Sequence, residues 1–180
     1  MARVPLIRED DAALAPLIAH LKAERGGKLI NLYKVLLNSP PLAGAWLDFN
    51  SAVRYRTSVA AAFNELAILR VSVLNGADYQ FKVHGPTHAL KAGLTEAQVA
   101  AIAHWTDSDL FSDAQRALLA WTDGITRDID PGEAACDAMR RHFDDRELVE
   151  LTVLIGAYNM HTRVARALRI DIEGAAPVTR

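Results

Sequence analysis

Helix-start signals recur along this chain where a sheet protein would carry hairpin turns. Thr95 has Gln98 three residues on, and Ser112 has Gln115. In that pattern a hydroxyl and a side-chain amide satisfy the backbone N–H groups that a helix leaves open at its start. Ser58 stands ahead of the run VAAAFNEL, which predicts a cap there too. Asp130 precedes Pro131 at a first helical position with Glu133 behind it, and Asp144 with Glu147 makes a fifth start. The one Asn-Gly pair, Asn75-Gly76, is not flanked by alternating strands and marks a break between two helices. Residues 11–24 recur at helical spacing and close on Gly26-Gly27, a short helix follows at 28–38, and Ser39-Pro40-Pro41 opens another through about residue 54. The fold class is all-α.

Two segments resemble each other. ELAILRVSVLNGADY (65–79) and ELVELTVLIGAYNMH (147–161) both open on Glu-Leu, run apolar, pass a glycine and reach an aromatic. Two related helical hairpins around a pseudo-twofold axis would explain the match. Both are apolar around most of their circumference, so each is expected to be buried on all sides or to lie at a contact between subunits. A homo-oligomer is expected on that ground.

Bulk properties exclude several functions. With 180 residues, 51% of them hydrophobic and 23% charged, the chain can bury a core as a single domain over 1–180. Its net charge of -2 comes with lysines and arginines scattered along the sequence, which gives no footprint for nucleic acid or an anionic membrane. The N-terminus has no export signal, and the apolar runs break before the roughly 18 residues that a span requires. A cytoplasmic location is expected, in keeping with a single cysteine, Cys136, that cannot form an internal disulfide.

The chemistry concentrates in 65–88. Glu65 heads the most apolar helix of the chain, where a buried carboxylate needs a partner. Arg70 is about half a turn round from it, so the partner must come from elsewhere. Past the break, Tyr79, Gln80, Phe81 and His84 resume a helix, and His84 and His88 stand four apart with Pro86 bending the chain between them. A hairpin returns these residues to the head of the first helix, so that carboxylate, phenol, amide and imidazole form a proton-handling set. His84 and His88 with a carboxylate could also hold a metal, but Pro86 disturbs their shared face and no His-Glu-x-x-His pattern is present, so no metal is expected. His104, Trp105, Trp121 and His142 read as packing or surface residues. His161, Tyr158 and Asn159 could approach the set through the repeat but read as a helix interface.

Glu65-Leu-Ala-Ile-Leu-Arg70, Tyr79-Gln-Phe81, His84 and the Ala-Leu-Lys-Ala-Gly-Leu run at 89–94 resemble the signature of the carboxymuconolactone decarboxylase and alkylhydroperoxidase D-like superfamily. The likeness extends to the flanks at 26–46 and 145–168, with its core at 57–105. It implies an alkylhydroperoxidase D-like helical fold, assembly as a dimer, trimer or hexamer with the site near a subunit contact, and no cofactor. It implies Glu65 and His84 as catalytic residues, and substrate contacts from Tyr79, Gln80, Phe81 and His88.

Two departures qualify the likeness. The peroxidase branch carries a Cys-x-x-Cys pair where this chain has Ala77 and Gln80, so there is no dithiol to supply the two electrons of peroxide reduction. Cys136 falls with Met139 and Phe143 on an apolar face, where a thiol is packing. The decarboxylase-like branch reads aromatic, Glu, aromatic, two residues, His, and here Gln80 replaces that Glu with an amide that cannot exchange a proton at ordinary pH. The expected activity is acid/base chemistry, a decarboxylation or lactone-type conversion of a small organic acid. An alkylhydroperoxidase- or peroxiredoxin-like antioxidant protein and a non-catalytic small-molecule binder are the alternatives.

Overall fold

Where a hydroxyl and an amide stand three residues apart, helices begin as read. The computed structural model describes residues 2–77, 81, 84–171 and 173, with the backbone alone at His84 and Pro86. Helices α1 (Ala15–Ala23), α2 (Asn31–Leu36), α3 (Pro40–Tyr55) and α4 (Ala61–Leu74) are followed by a π-helical turn, His84–Ala89. Then come α5 (Glu96–Ala101), a 3-10 segment (Ile102–Asp107), α6 (Asp113–Asp128), α7 (Glu133–Arg140) and α8 (Asp145–Ala167). No strand occurs among the described residues. The chain forms two compact units, one of Met1–Ala52 with Val164–Arg180 and the other of Val53–Arg163.

Thr95 and Ser112 each accept from the backbone N–H of the third residue on, while Gln98 and Gln115 reach back, closing two full capping boxes on α5 and α6. Asp144 and Glu147 do the same at α8: the Glu147 amide donates to Asp144 Oδ1 at 2.8 Å and the Asp144 amide to Glu147 Oε2 at 3.1 Å. Two other expected caps are not caps. Helix α4 starts behind Ala60 with no side-chain cap, because Ser58 is drawn to a partner outside its own helix. Helix α7 starts at Glu133 behind Gly132, and Asp130 Oδ1 instead accepts from the Gly132 amide to hold a turn.

In the smaller unit, Gly26 and Gly27 both take positive φ, and the Gly27 amide donates to the Lys22 carbonyl at 2.7 Å, stopping α1 as its sequence implies. Ile18, Leu21, Tyr33, Leu37 and Leu47 form the core there. The larger unit is built on α4. Every residue from Asn64 to Ser72 is buried, so this helix is enclosed on all sides. It packs chiefly against α6, which in turn packs on α7. Leu66, Leu69, Leu118, Leu119 and Leu151 have no exposed surface, and each contributes about 2 kcal/mol through burial.

The two similar segments diverge after their glycines. Helix α4 ends at Leu74 with Asn75 as its cap and Gly76 at φ +56°, whereas α8 continues through Gly156 to Ala167. Asn75 Nδ2 donates to Asn159 Oδ1 at 3.0 Å and to Thr162 Oγ1 at 2.8 Å, tying the break to α8. On its outer side α8 leaves Val149, Val153 and Met160 exposed. Among the described residues no helix is long and apolar enough to cross a membrane.

One close approach decides the α6–α7 reversal. Past α6 the chain turns through Ile129 at φ +73°, and Pro131 returns against Gly124. A Cβ at Gly124 would lie 2.5 Å from Pro131 Cβ and 2.6 Å from its Cα. In an open helix, Gly-to-Ala is worth up to about 1 kcal/mol of added stability. Here the sign reverses, because the obstacle is a ring and backbone that cannot swing away. Gly124→Ala is expected to cost about 1–3 kcal/mol in urea unfolding, and a raised midpoint would show that the turn yields freely.

Candidate active site

Glu65 occupies the second turn of α4 and is 6% exposed. Its Oε1 accepts from Arg54 Nη2 at 3.3 Å, so the partner that α4 lacks comes from the last turn of α3. Only five residues, 56–60, join α3 to α4. Ser58 clasps that connection: its amide and hydroxyl donate to Glu150 Oε2 on α8 at 2.7 and 2.8 Å. Arg146 donates to Glu150 Oε1 at 2.9 Å. Burial works against the Glu150 carboxylate, but the Ser58 hydroxyl and amide and the Arg146 guanidinium outweigh it and lower its pKa below the ordinary glutamate value.

Arg54 is held in place by its surroundings. Its guanidinium lies over the Tyr55 ring at 5.0 Å from the centroid. Burial disfavours the cation, yet Tyr158, Tyr55 and Glu65 together raise its pKa above the ordinary arginine value. Tyr158 is almost wholly buried on α8 and packs edge-on to His161, with ring centroids 5.3 Å apart.

A cavity of about 250 Å³ opens beside this pair, lined by Arg54, Tyr55, Ala61, Asn64, Glu65, Ile68, His88, Lys91 and Ala92. Its size is below the roughly 300–1,000 Å³ of sites for drug-sized ligands, which suits a small molecule. Glu65 and His88 therefore share one cavity. His88 comes from the π-helical turn His84–Ala89, which spans the same stretch as the expected bend. Pro86 within it has no N–H to donate, and π turns are frequent at functional sites. Phe81 is half-buried and packs on the core of the larger unit, and it is not among the residues lining the cavity. Tyr79, Gln80 and the side chain of His84 lie outside the described residues.

Arg54 was the residue that sequence reasoning missed, whereas Tyr158 was read as able to approach the set through the repeat or else as helix interface. The signal for Arg54 was the run Arg54-Tyr55-Arg56, which puts cations one short turn ahead of the buried Glu65. Cys136 sits half-buried on α7 against the core and does not line the cavity.

The model of the carboxymuconolactone decarboxylase family matches residues 40–124, the stretch that carries Arg54, Glu65, the π turn and Lys91. Over residues 40–124 the chain is similar to the carboxymuconolactone decarboxylase family, and its likeness to a solved AhpD-like structure supports the wider superfamily. Among its relatives is the uncharacterized protein YdfG of Bacillus subtilis (strain 168), 27% identical over 117 residues, covering 63% of this chain and 78% of YdfG. A solved structure from Agrobacterium tumefaciens, of unknown function and described as an antioxidant defence protein AhpD, is 28% identical with a TM-score of 0.71. That likeness covers 81% of this chain and 97% of the other. The debrominase Bmp8, solved as a cysteine-to-alanine variant with 2,3,4-tribromopyrrole, shares the fold at a TM-score of 0.77 and 20% identity, over 97% of this chain and 95% of its own. The all-α, AhpD-like fold stands on these likenesses and on the helices themselves.

Proposed function

We propose that this protein is an acid/base enzyme that converts a small organic acid or its lactone in the cavity at Glu65. The observation that carries this reading is the Glu65 carboxylate, buried and paired with Arg54 in the wall of a cavity of about 250 Å³. An ionisable group kept out of water at the edge of a small cavity is what proton transfer to a bound molecule requires. Glu65 and His84 are the catalytic pair, His84 exchanging the proton and Glu65 orienting its ring and stabilising the imidazolium. Tyr79, Gln80 and His88 are the substrate contacts. When a carboxylate leaves as carbon dioxide, the bonding electron pair stays on the adjacent carbon, and the imidazolium supplies the proton that quenches it.

The ligand of the Bmp8 neighbour is a small planar heterocycle, and a fold-mate holding a molecule of that size supports a compact ring as substrate here. Dithiol peroxide reduction is disfavoured because Cys136 is the one thiol of the chain. The test is to incubate the protein in D2O with carboxymuconolactone and simpler lactone acids, following deuterium incorporation and carbon dioxide release by NMR. Conversion or exchange that survives Cys136→Ser supports the proposal. Ligand-dependent thermal stabilisation with neither exchange nor product would replace it with the binder, and peroxide consumption lost in Cys136→Ser would replace it with thiol chemistry.

A further inference from the structure

We infer that Arg54 and Lys91 form a clamp for a single carboxylate, and that Lys91 is the residue that makes the cavity select anions over neutral molecules of the same shape. This rests on the cavity being the substrate site, as proposed above, but not on the reaction that occurs there.

Among the described residues of the cavity wall charge does not balance. Arg54 and Lys91 contribute two positive charges there and Glu65 one negative charge, an excess of one cation that suits one anion. Donors are in surplus as well. Arg54 commits Nη2 to Glu65 at 3.3 Å, and no other hydrogen bond of its guanidinium is made among the described residues, although the group has five N–H donors. Lys91 is exposed and makes no hydrogen bond or ion pair among the described residues. It stands three residues beyond His88, on the helical turn that leaves the π segment, while Arg54 arrives from α3. Cations from two separate elements thus border one cavity, one partly committed and the other uncommitted. A planar carboxylate can take two parallel N–H donors from the guanidinium and the point charge of the ammonium.

The division of labour follows from exposure. Arg54, largely buried and engaged with Glu65, positions the anion. Lys91, at the rim, attracts it and contributes most at low ionic strength, where its charge is least screened.

The experiment measures binding of benzoate and 2-furoate, each beside its amide, by titration calorimetry at low and high salt. Wild-type protein is expected to bind the acids at least about tenfold more tightly than the amides at low salt, with the preference shrinking as salt rises. Lys91→Ala is expected to erase most of that preference, leaving amide binding and the unfolding midpoint unchanged, and Lys91→Arg to restore it. Equal binding of acids and amides by wild-type protein, no binding of either acid, or a Lys91→Ala variant that weakens acid and amide alike would overturn the clamp. The outcome separates from the reaction: acid selectivity without deuterium exchange keeps the clamp and removes the enzyme. Exchange on neutral lactones with no acid preference does the reverse.

Discussion

Asp123→Ala is expected to destabilise the larger unit by about 3 kcal/mol, the largest stability effect of any single substitution considered for this chain. Arg70 is 4% exposed in the middle of α4. Its Nη2 donates to Asp123 Oδ2 at 2.7 Å and its Nε to Asp123 Oδ1, a two-pronged pair across α4 and α6. Nη1 donates to the Ile102 carbonyl at 2.9 Å and the Ala103 carbonyl at 3.1 Å. Trp105 Nε1 also donates to Asp123, at 3.3 Å. Removing the carboxylate strands a desolvated cation on two carbonyls and takes the acceptor from an indole that is itself 8% exposed. Total stabilities of domains are about 5–15 kcal/mol, so the loss would be plain in a urea or thermal melt.

Two companions make that result interpretable. Asp123→Asn keeps an acceptor and should lose less than Asp123→Ala. The double replacement Arg70→Met with Asp123→Leu should recover much of the loss, since burying neither charge avoids the desolvation that the pair has to offset. If Asp123→Ala unfolds within about 0.5 kcal/mol of wild type, as ordinary surface changes do, the pair holds nothing together.

That pair also shows where the sequence stops being legible. Arg70 could be ruled out as the partner of Glu65 from helical spacing alone, but Asp123 is 53 residues away and no local pattern joins them. The capping boxes at Thr95, Ser112 and Asp144 were readable because donor and acceptor stand three residues apart. Ser58 stands ahead of an apolar run with Ala61, not an amide or acid, three residues on, and its partner Glu150 is 92 residues distant, so the long-range contact overrides the cap. Pro131 likewise reads as a first helical residue until Gly124 is seen to receive it, which moves the start of α7 to Glu133. The all-round burial of α4 was legible because apolar residues occupy every side of it. The apolar character of α8 was legible too, with full burial and a subunit contact left as alternatives, and one side of it stays exposed on the single chain.

The candidate site divides along the same line. The sequence demanded a partner for Glu65 and could not name Arg54, because the pairing crosses a five-residue connection between two helices and no helical spacing joins the two residues. His88 was given a substrate contact by the family resemblance, and it lines the cavity. Phe81 was given the same role from the same motif, but an aromatic beside a dense helical core packs into that core. Lys91 lies in the signature run at 89–94, but nothing there assigned it a role, since a lysine after an apolar turn is ordinary until a cavity is found next to it.

Glu65→Gln is expected to lower turnover by about 10²–10⁴-fold while leaving the protein folded. The amide keeps the volume and one acceptor oxygen, so Arg54 Nη2 still has a partner at the position where it now meets the carboxylate, 3.3 Å away. Arg54 retains 19% of its side-chain surface and its contact with Tyr55, which limits the penalty for an unneutralised cation. What the amide cannot do is carry the negative charge that favours a protonated imidazole, so the loss should fall on kcat and not on the affinity for benzoate. His84→Ala should produce a loss of similar size, and the double variant should be little worse than either, because two groups that act as one unit are not additive. A Glu65→Gln protein with full turnover and a lowered melting temperature would assign the carboxylate to holding α3 against α4, and the acid/base role would have to leave residue 65.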